Sequence, residues 1–138
     1  MTFLEINPLR PADHKMSMDE TGLPVTAVTL DELVQSHIGP GPALIKIDVQ
    51  GAEMLVLEGA TETLRATGPA LFVELHEEGS NRFGTSVSAI PDYLSTRGYQ
   101  AFWPSRAASH DQASRSEIHE KVVRIGYGDV LFLKTPSP

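Results

Sequence analysis

Three side chains able to carry acid–base chemistry stand where two apolar runs end. Asp48 comes near the end of the run LIKIDV, and Glu74 and His76 close the run ALFVELH. A carboxylate can take up a proton or face a cation, and histidine titrates near neutral pH. Since residues two apart in a strand face the same way, Glu74 and His76 would project together. These three residues form the candidate catalytic site.

Each of these residues also has a structural explanation. An acid just before a helix, as Asp48 is, often caps the helix or favours the positive end of its dipole. Glu53, in the first turn of the helix that follows, could share the site, although exposure to solvent or the same dipole explains it better. A single histidine at a strand end is more often structural. Asp48, Glu74 and His76 could also hold a divalent cation, but their spacing matches no compact metal motif, so no metal site is predicted.

The hydrophobic pattern around these residues predicts alternating strands and helices. The predicted strands are Val25 to Val28, Leu44 to Val49, Ala70 to His76, Tyr99 to Trp103 and Asp129 to Lys134. The predicted helices run from Leu30 to about His37, from beyond Gly51 to Gly68, and from Ser88 to Gly98. This alternation is typical of an open, mostly parallel α/β sheet, whose ligands bind outside the carboxyl ends of the strands. Asp48, Glu74 and His76 would all lie at that edge.

Local signals set the boundaries of these elements. Thr29 and Glu32 predict a capping box at the start of the first helix, and Ser88 is expected to cap the third. The near-continuous apolar run from 44 to 49 predicts a strand covered on both faces. The apolar stripe of the second helix comprises Met54, Leu57, Ala60 and Leu64. Ile47 and Leu57 are expected to face each other across the strand and helix layers.

Two polar segments are predicted to be loops. EEGSNRFGT follows the strand that carries Glu74, and residues 104–128 form a long link between the last two strands. A structureless link of this size is commonly functional or disordered. It would leave the sheet at its ligand-binding edge, where Arg106, His110 and His119 are candidate contacts of a substrate. A mobile polar insertion that touches nothing explains the segment equally well.

Length and composition restrict the classes of protein and partner. The chain has 138 residues, 41% of them hydrophobic, which suits one compact domain. Its net charge of −7 disfavours nucleic acid and anionic membrane surfaces as partners, because both are negatively charged. The sequence has no cysteine, no membrane-length apolar run and no leader, which predicts a cytoplasmic protein. Residues 1–24 predict an irregular lead-in with one extended piece at Phe3 to Ile6, and residues 25–138 form the predicted domain.

The order of five segments resembles the C-terminal portion of the FkbM-type methyltransferases. The segments are VTLDELV, LIKIDVQGAEMLVLEGA, ALFVELHEEG, GYQAFW and DVLFLK, within about residues 25–135. The resemblance implies a Rossmann-like methyltransferase sheet with an antiparallel last strand, S-adenosylmethionine as cofactor, and a small hydroxylated metabolite or sugar as methyl acceptor. The cofactor-binding residues it implies are Asp48, Val49, Gln50 and Gly51. Asp48 would lie near the methyl group and the acceptor, with Glu74 and His76 beside it.

Two departures from the family pattern change the expectation. Gln50 stands where the family usually has glutamate, so a negative charge is missing there. The sequence also lacks the first two strands of the family fold, with their glycine-rich turn for the cofactor's amino-acid part and their acid for its ribose. The strand at Val25 to Val28 would then be the family's third, and Leu44 to Val49 would form an open hydrophobic edge. Open edges tend to pair with another chain, so a homodimer, a partner that carries the missing strands, or a truncated protein is expected.

Two functions of different classes follow. The first is an S-adenosylmethionine-dependent methyltransferase domain whose isolated chain binds the cofactor weakly and turns over no acceptor. The second is a noncatalytic half-domain that pairs with a partner through its open sheet edge. The strand-end acids favour the first function, whereas Gln50 and the absent cofactor-binding half favour the second.

Overall fold

The structure, a computed structural model, describes residues 2–9, 14–17, 19, 21–104 and 111–135. Its strands are β1 (Thr2–Glu5), β2 (Lys15–Ser17), β3 (Leu23–Val25), β4 (Leu44–Ile47), β5 (Ala70–His76), β6 (Tyr99–Phe102) and β7 (Tyr127–Lys134). Its helices are α1 (Leu30–Leu33), α2 (Glu53–Glu58), α3 (Thr61–Ala66), α4 (Glu77–Arg82), α5 (Ala89–Ser95) and α6 (Arg115–Ile125), with a π-helical turn at Val34–Ile38. None of the helices in these described ranges is long and apolar enough to cross a membrane.

The larger of the two sheets has four strands in the order β4-β5-β7-β6. β4 and β5 pair in parallel, whereas β7 pairs antiparallel with both β5 and β6. The predicted antiparallel last strand is therefore confirmed. The prediction of a mostly parallel sheet is correct in part, because three strands share one direction but two of the three pairings are antiparallel. The difference arises because β7 inserts between β5 and β6, and a strand's own pattern fixes its faces but not its neighbours.

The hydrophobic core lies on one face of this sheet. In β5 the residues Leu71, Val73 and Leu75 are fully buried and alternate with half-buried residues. The helices bury their own apolar residues in the same cluster: Leu57, Leu64, Ile90, Leu94, Ile118 and Val122. Ile47 belongs to this cluster too. The layer of strands and helices is the frame that positions the strand ends.

β4 is an edge strand with one covered face. Its neighbour is β5, and its other side has no partner among the described strands. Leu44 is 60% exposed and Lys46 is also exposed, whereas Ile47 is buried. The expected open edge is therefore present, but the expectation of cover on both faces is wrong. An apolar run alone does not reveal how many layers cover it.

The second predicted helix is divided into α2 and α3 at Gly59. Asp31 of α1 fills the break, because its N–H donates to the carbonyl of Gly59 and its carboxylate accepts from the N–H groups of Glu62 and Thr63. Glycine is a poor helix former, and the free N–H groups at the start of α3 gain a cap. The interruption is thus stabilised from outside the helix.

The predicted caps are confirmed at one helix and wrong at another. Thr29 and Glu32 form both hydrogen bonds of a capping box at the start of α1. Ser88 precedes α5 but makes no capping hydrogen bond there. Its hydroxyl instead pairs with His119 Nδ1 at 2.9 Å, so a tertiary contact replaces the local one.

Both segments predicted as loops contain helices. α4 occupies residues 77–82 of the polar segment after β5, and α6 occupies residues 115–125 of the long link. Ile118 and Val122 of α6 are fully buried in the core, so this helix is a structural part of the domain. Their helical spacing is the signal that the sequence interpretation missed. Arg106 and His110 lie outside the described residues.

Three short strands occupy much of the segment expected to be irregular. β2 and β3 flank β1, and both pair with it antiparallel in a sheet of their own. The extended piece expected at Phe3 to Ile6 corresponds to β1. The strand expected from Val25 is instead β3, which ends at Val25 and does not join the four-stranded sheet. Strands of three or four residues are too short to show a period in the sequence.

Candidate active site

Asp48, Gln50 and Glu74 meet at the carboxyl ends of β4 and β5. Because Ile47 pairs with Val73, the next residues along each chain, Asp48 and Glu74, come level with each other. The side-chain amide of Gln50 lies between them, and its Nε2 donates to Asp48 Oδ1 at 3.3 Å and to Glu74 Oε2 at 3.2 Å. The structure thus brings two of the three predicted catalytic residues into one cluster with a predicted cofactor-binding residue.

Two further charged side chains belong to this cluster. Lys46, two residues before Asp48, places its Nζ 2.5 Å from Asp48 Oδ2. Asp129 of β7 is the cross-strand partner of Glu74. Lys46 therefore offsets the charge of Asp48, whereas Asp129 adds a negative charge beside Glu74.

The two carboxyl groups of the pair have very different pKa values. The hydrogen bond with Lys46 holds the pKa of Asp48 below its ordinary value, and the hydrogen bond with Glu74 lowers it further. Burial raises the pKa of Glu74 to about 7, and the hydrogen bond and charge of Asp48 and the charge of Asp129 act in the same direction. Just below neutral pH the pair therefore holds one proton, and this proton is on Glu74.

The turn after β4 has a strained backbone that its neighbours hold in place. Gln50 has a φ of 55°, which is uncommon for a residue with a side chain, and Gly51 follows at 108°. A Cβ added to Gly51 would lie 2.2 Å from the carbonyl carbon of Gly79, so the turn and α4 meet backbone to backbone. Arg82 of α4 also donates from Nη2 to the carbonyl of Gln50 at 2.9 Å. These contacts fix the direction in which Gln50 projects.

Glu53 is a buried acid and not the solvated one that its place in the first turn of α2 suggested. Its side chain is fully buried, and its Oε1 accepts from the Gly51 N–H at 2.8 Å. Burial raises the pKa of this carboxyl above its ordinary value. Its Oε2 has no hydrogen-bond partner in the described part of the chain. Glu53 therefore stabilises the same turn from inside the domain.

His76 caps the helix that follows it. It lies on the same side of β5 as Glu74, as predicted from the spacing. Its Nδ1 accepts from the Gly79 N–H at 3.0 Å and so caps the start of α4. Because Nδ1 accepts in this bond, the other ring nitrogen carries the ring proton, and the cap engages the one lone pair through which a neutral His76 could accept a proton.

A cavity of about 750 Å³ opens beside Asp48. Asp48 and Val49 line it together with apolar side chains from β1, α1 and α2. Gln50 and Gly51 are not among its lining residues, so the four predicted cofactor-binding residues divide between the cavity and the turn. The volume falls in the range of small-molecule sites.

His119 belongs to a different surface. It lies on α6, hydrogen-bonds Ser88, and lines a separate cavity with Ser114 and Arg115. The structure therefore does not add it to the cluster around Asp48.

Lys46 and Asp129 are the charged residues that the sequence interpretation missed. Lys46 could have been predicted to lie beside Asp48, since residues two apart in a strand face the same side. The position of Asp129 could not be predicted locally, because its place opposite Glu74 depends on the register between β5 and β7.

An α/β sheet with paired acids at its carboxyl edge is compatible with a methyltransferase domain, and sequence comparison supports this class. The family model described as Methyltransferase FkbM domain matches residues 2–101. The chain belongs to the FkbM methyltransferase family. Methyltransferases of this family generally use S-adenosylmethionine.

The chain is similar to the hexuronic acid methyltransferase AglP of Haloferax volcanii. The two proteins are 38% identical over 63 residues, which is 46% of this chain and 26% of the relative. The match thus spans well under two thirds of the relative's length. No solved structure is significantly similar to the chain.

Proposed function

We propose that this chain is part of an S-adenosylmethionine-dependent methyltransferase that acts on an oxygen of a small hydroxylated metabolite or sugar. The observation that carries the proposal is the Asp48–Glu74 pair at the carboxyl ends of two parallel strands, beside a cavity. Ligands of open α/β sheets bind at this edge. Membership of the FkbM family and the similarity to a hexuronic acid methyltransferase support the same reaction.

The Asp48–Glu74 pair can meet the two requirements that methyl transfer places on the protein. When bound, S-adenosylmethionine supplies an electrophilic methyl group on a positively charged sulfur. The chain must orient the acceptor hydroxyl and take up the proton that this hydroxyl loses. Glu74 is the proton acceptor in this proposal, because a carboxyl with a pKa of about 7 is a stronger base than an ordinary one. Asp48 remains ionised and orients the reactants.

The described residues fit one end of the cofactor. The carboxylate of Asp48 lines the cavity and suits a positively charged sulfonium, and the cavity of about 750 Å³ can enclose part of a small ligand. The 138-residue sequence has no glycine-rich turn that opens a helix, so it offers no counterpart for the amino-acid part of the cofactor. The chain by itself should therefore hold the reactive end of the cofactor and bind weakly.

A sugar acid is the acceptor class that we favour. The relative from Haloferax volcanii is a hexuronic acid methyltransferase by name. In this chain Arg82 brings positive charge to the turn that carries Asp48, whereas Lys46 is already paired with Asp48. Arg82 is exposed, and its guanidinium has further N–H donors beyond the one bonded to Gln50. A carboxylate on the acceptor could pair with it.

An NMR titration of the isotope-labelled chain with S-adenosylmethionine tests the proposed function. We expect weak binding, with a Kd of about 1 mM or higher, and shifts of the backbone N–H signals concentrated at residues 48–52. Asp48→Asn should weaken the response, whereas Asp92→Asn, which changes an exposed acid on α5, should leave it unchanged. Shifts elsewhere, or none at saturating concentrations, would refute the proposed site. Tight one-to-one binding would refute the need for a separate cofactor-binding half.

A noncatalytic half-domain is the second candidate function, and the open edge of β4 favours it. The strand has no partner on one side among the described strands, and Leu44 is 60% exposed there. Such an edge can pair with a second copy of the chain or with a partner that supplies the missing strands.

Sedimentation of the chain alone tests this second candidate. We expect a self-associating protein, because edge pairing removes unpaired backbone groups from water. Leu44→Lys should shift it towards the monomer, and Val123→Lys, at an exposed position on α6, should not. A stable monomer at high dilution would contradict pairing through β4.

A further inference from the structure

Gln50 combines a strained backbone with a side chain that serves two acids. Its φ of 55° is a conformation that residues with a Cβ adopt at a cost. Two neighbours hold the turn in this conformation. Gly79 packs against it without a side chain, and Arg82 donates to the carbonyl of Gln50 at 2.9 Å. Strain of this kind persists where the surrounding structure enforces it, and it is concentrated at functional sites.

The side chain of Gln50 can donate a hydrogen bond to each of the two acids. A primary amide has two N–H donors on one nitrogen. Nε2 of Gln50 donates to Asp48 Oδ1 at 3.3 Å and to Glu74 Oε2 at 3.2 Å, so each acid receives one hydrogen bond. A single uncharged group thereby bridges two strands whose acids repel each other when both are ionised.

We infer that Gln50 is a positioning residue whose amide, directed by the strained turn, holds the carboxyl groups of Asp48 and Glu74 side by side. The use of this pair in methyl transfer rests on the function proposed above, whereas the positioning can be tested without any methyl transfer.

The positioning has a measurable consequence for how the two acids titrate. Lys46 and Asp129 also face the pair, from β4 and β7. Neither of these two described side chains is hydrogen-bonded to Gln50, so we expect both to stay in place when Gln50 is changed. Burial is the main cause of the raised pKa of Glu74, and with the amide present the hydrogen bond and charge of Asp48 add to it at short range. Without the amide, repulsion should separate the acids at a pH where both are ionised, and their influence on each other should fall.

The experiment is a carbon NMR pH titration of the Glu74 carboxyl group in the full 138-residue chain, with the signal assigned by its loss in Glu74→Gln. Asp48→Asn is made in the wild type and again in the Gln50→Ala background. In the wild type it should lower the Glu74 midpoint by about one pH unit or more, a tenfold change in proton affinity. In the Gln50→Ala background the same change should shift the midpoint by less than half as much. Equal shifts in both backgrounds would overturn the inference.

Gln50→Asn separates the role of the amide from that of the strained turn. Asparagine tolerates positive φ better than most residues, so the turn should survive, but its amide is one methylene shorter. It should therefore behave like Gln50→Ala in the titration. If Asp48→Asn shifted the Glu74 midpoint in this variant as much as in the wild type, the inference would be overturned. Gln100→Ala, at an exposed glutamine on β6, is the matched control and should retain the wild-type coupling.

These titrations need neither cofactor nor acceptor, so the two proposals can fail separately. A smaller effect of Asp48→Asn on the Glu74 midpoint after Gln50 is changed supports the inference even if the chain fails to bind S-adenosylmethionine. Undiminished coupling overturns it even if methyl transfer is later demonstrated.

Discussion

Asp48→Asn should lower the turnover number for methyl transfer about 100-fold, within the range of general acid–base contributions, and should change the KM for S-adenosylmethionine much less. Asparagine keeps the shape of the side chain but removes the charge that pairs with Lys46. Burial is the main cause of the raised pKa of Glu74, but the charge of Asp48 adds to it, so without this charge the proposed proton acceptor becomes a weaker base. Both losses act mainly in the transition state, and such losses appear in kcat.

Because we propose that the chain is part of a longer enzyme, the measurement uses a protein that also contains a cofactor-binding half. The upstream region of an FkbM-family enzyme, with its glycine-rich turn, can be joined in front of residue 2, and circular dichroism can show that the joined protein is folded. Transfer of labelled methyl groups to sugar acids then gives kcat and KM. Asp92→Asn, at an exposed position on α5, should leave both values unchanged. An Asp48→Asn enzyme with unchanged kcat would contradict the proposed role of Asp48.

Leu57→Ala should lower the free energy of unfolding by about 2–5 kcal/mol. Leu57 is 0% exposed and lies in the core cluster between α2 and the sheet, together with Ile47 and Val73. Truncation to alanine removes buried methyl and methylene groups and leaves a cavity that the surrounding strands and helices can fill only in part. Urea unfolding followed by circular dichroism measures the change as a lower midpoint at constant slope.

Leu55→Ala is the matched control on the same helix. Leu55 is 46% exposed, so its truncation should change the free energy of unfolding by about 0.5 kcal/mol or less. Equal losses for the two variants would mean that α2 presents a different face to the sheet. A loss below about 0.5 kcal/mol for Leu57→Ala would show that this residue is not in the core.

Several features of the fold follow from short-range patterns and could be predicted. The strands that end near Asp48 and Glu74 are marked by apolar runs, and the capping box of Thr29 and Glu32 is a local arrangement of side chains. The burial of Leu57 and Leu64 follows from helical spacing, which remains correct although the helix is interrupted between them. Each of these features depends on residues a few positions apart.

Other features depend on interactions that no local pattern records. The break after α2 is stabilised by Asp31, which lies more than twenty positions earlier in the chain. The insertion of β7 between β5 and β6 sets the order of the sheet, and it places Asp129 opposite Glu74. From the sequence, Gln50 is a departure from the family pattern; in the structure, its amide bridges Asp48 and Glu74.

The sequence alone predicted an α/β fold, indicated the family, and made Asp48, Glu74 and His76 the candidate site residues. Burial of apolar side chains and the termination of strands and helices are governed by neighbours in the chain, so they leave periodic patterns. Three features required the folded structure: His76 caps α4, Glu53 is buried, and burial raises the pKa of Glu74 to about 7. A hydrogen bond or a pKa depends on which distant groups lie within a few ångströms and on how much water they exclude, and those distances exist only in the folded chain.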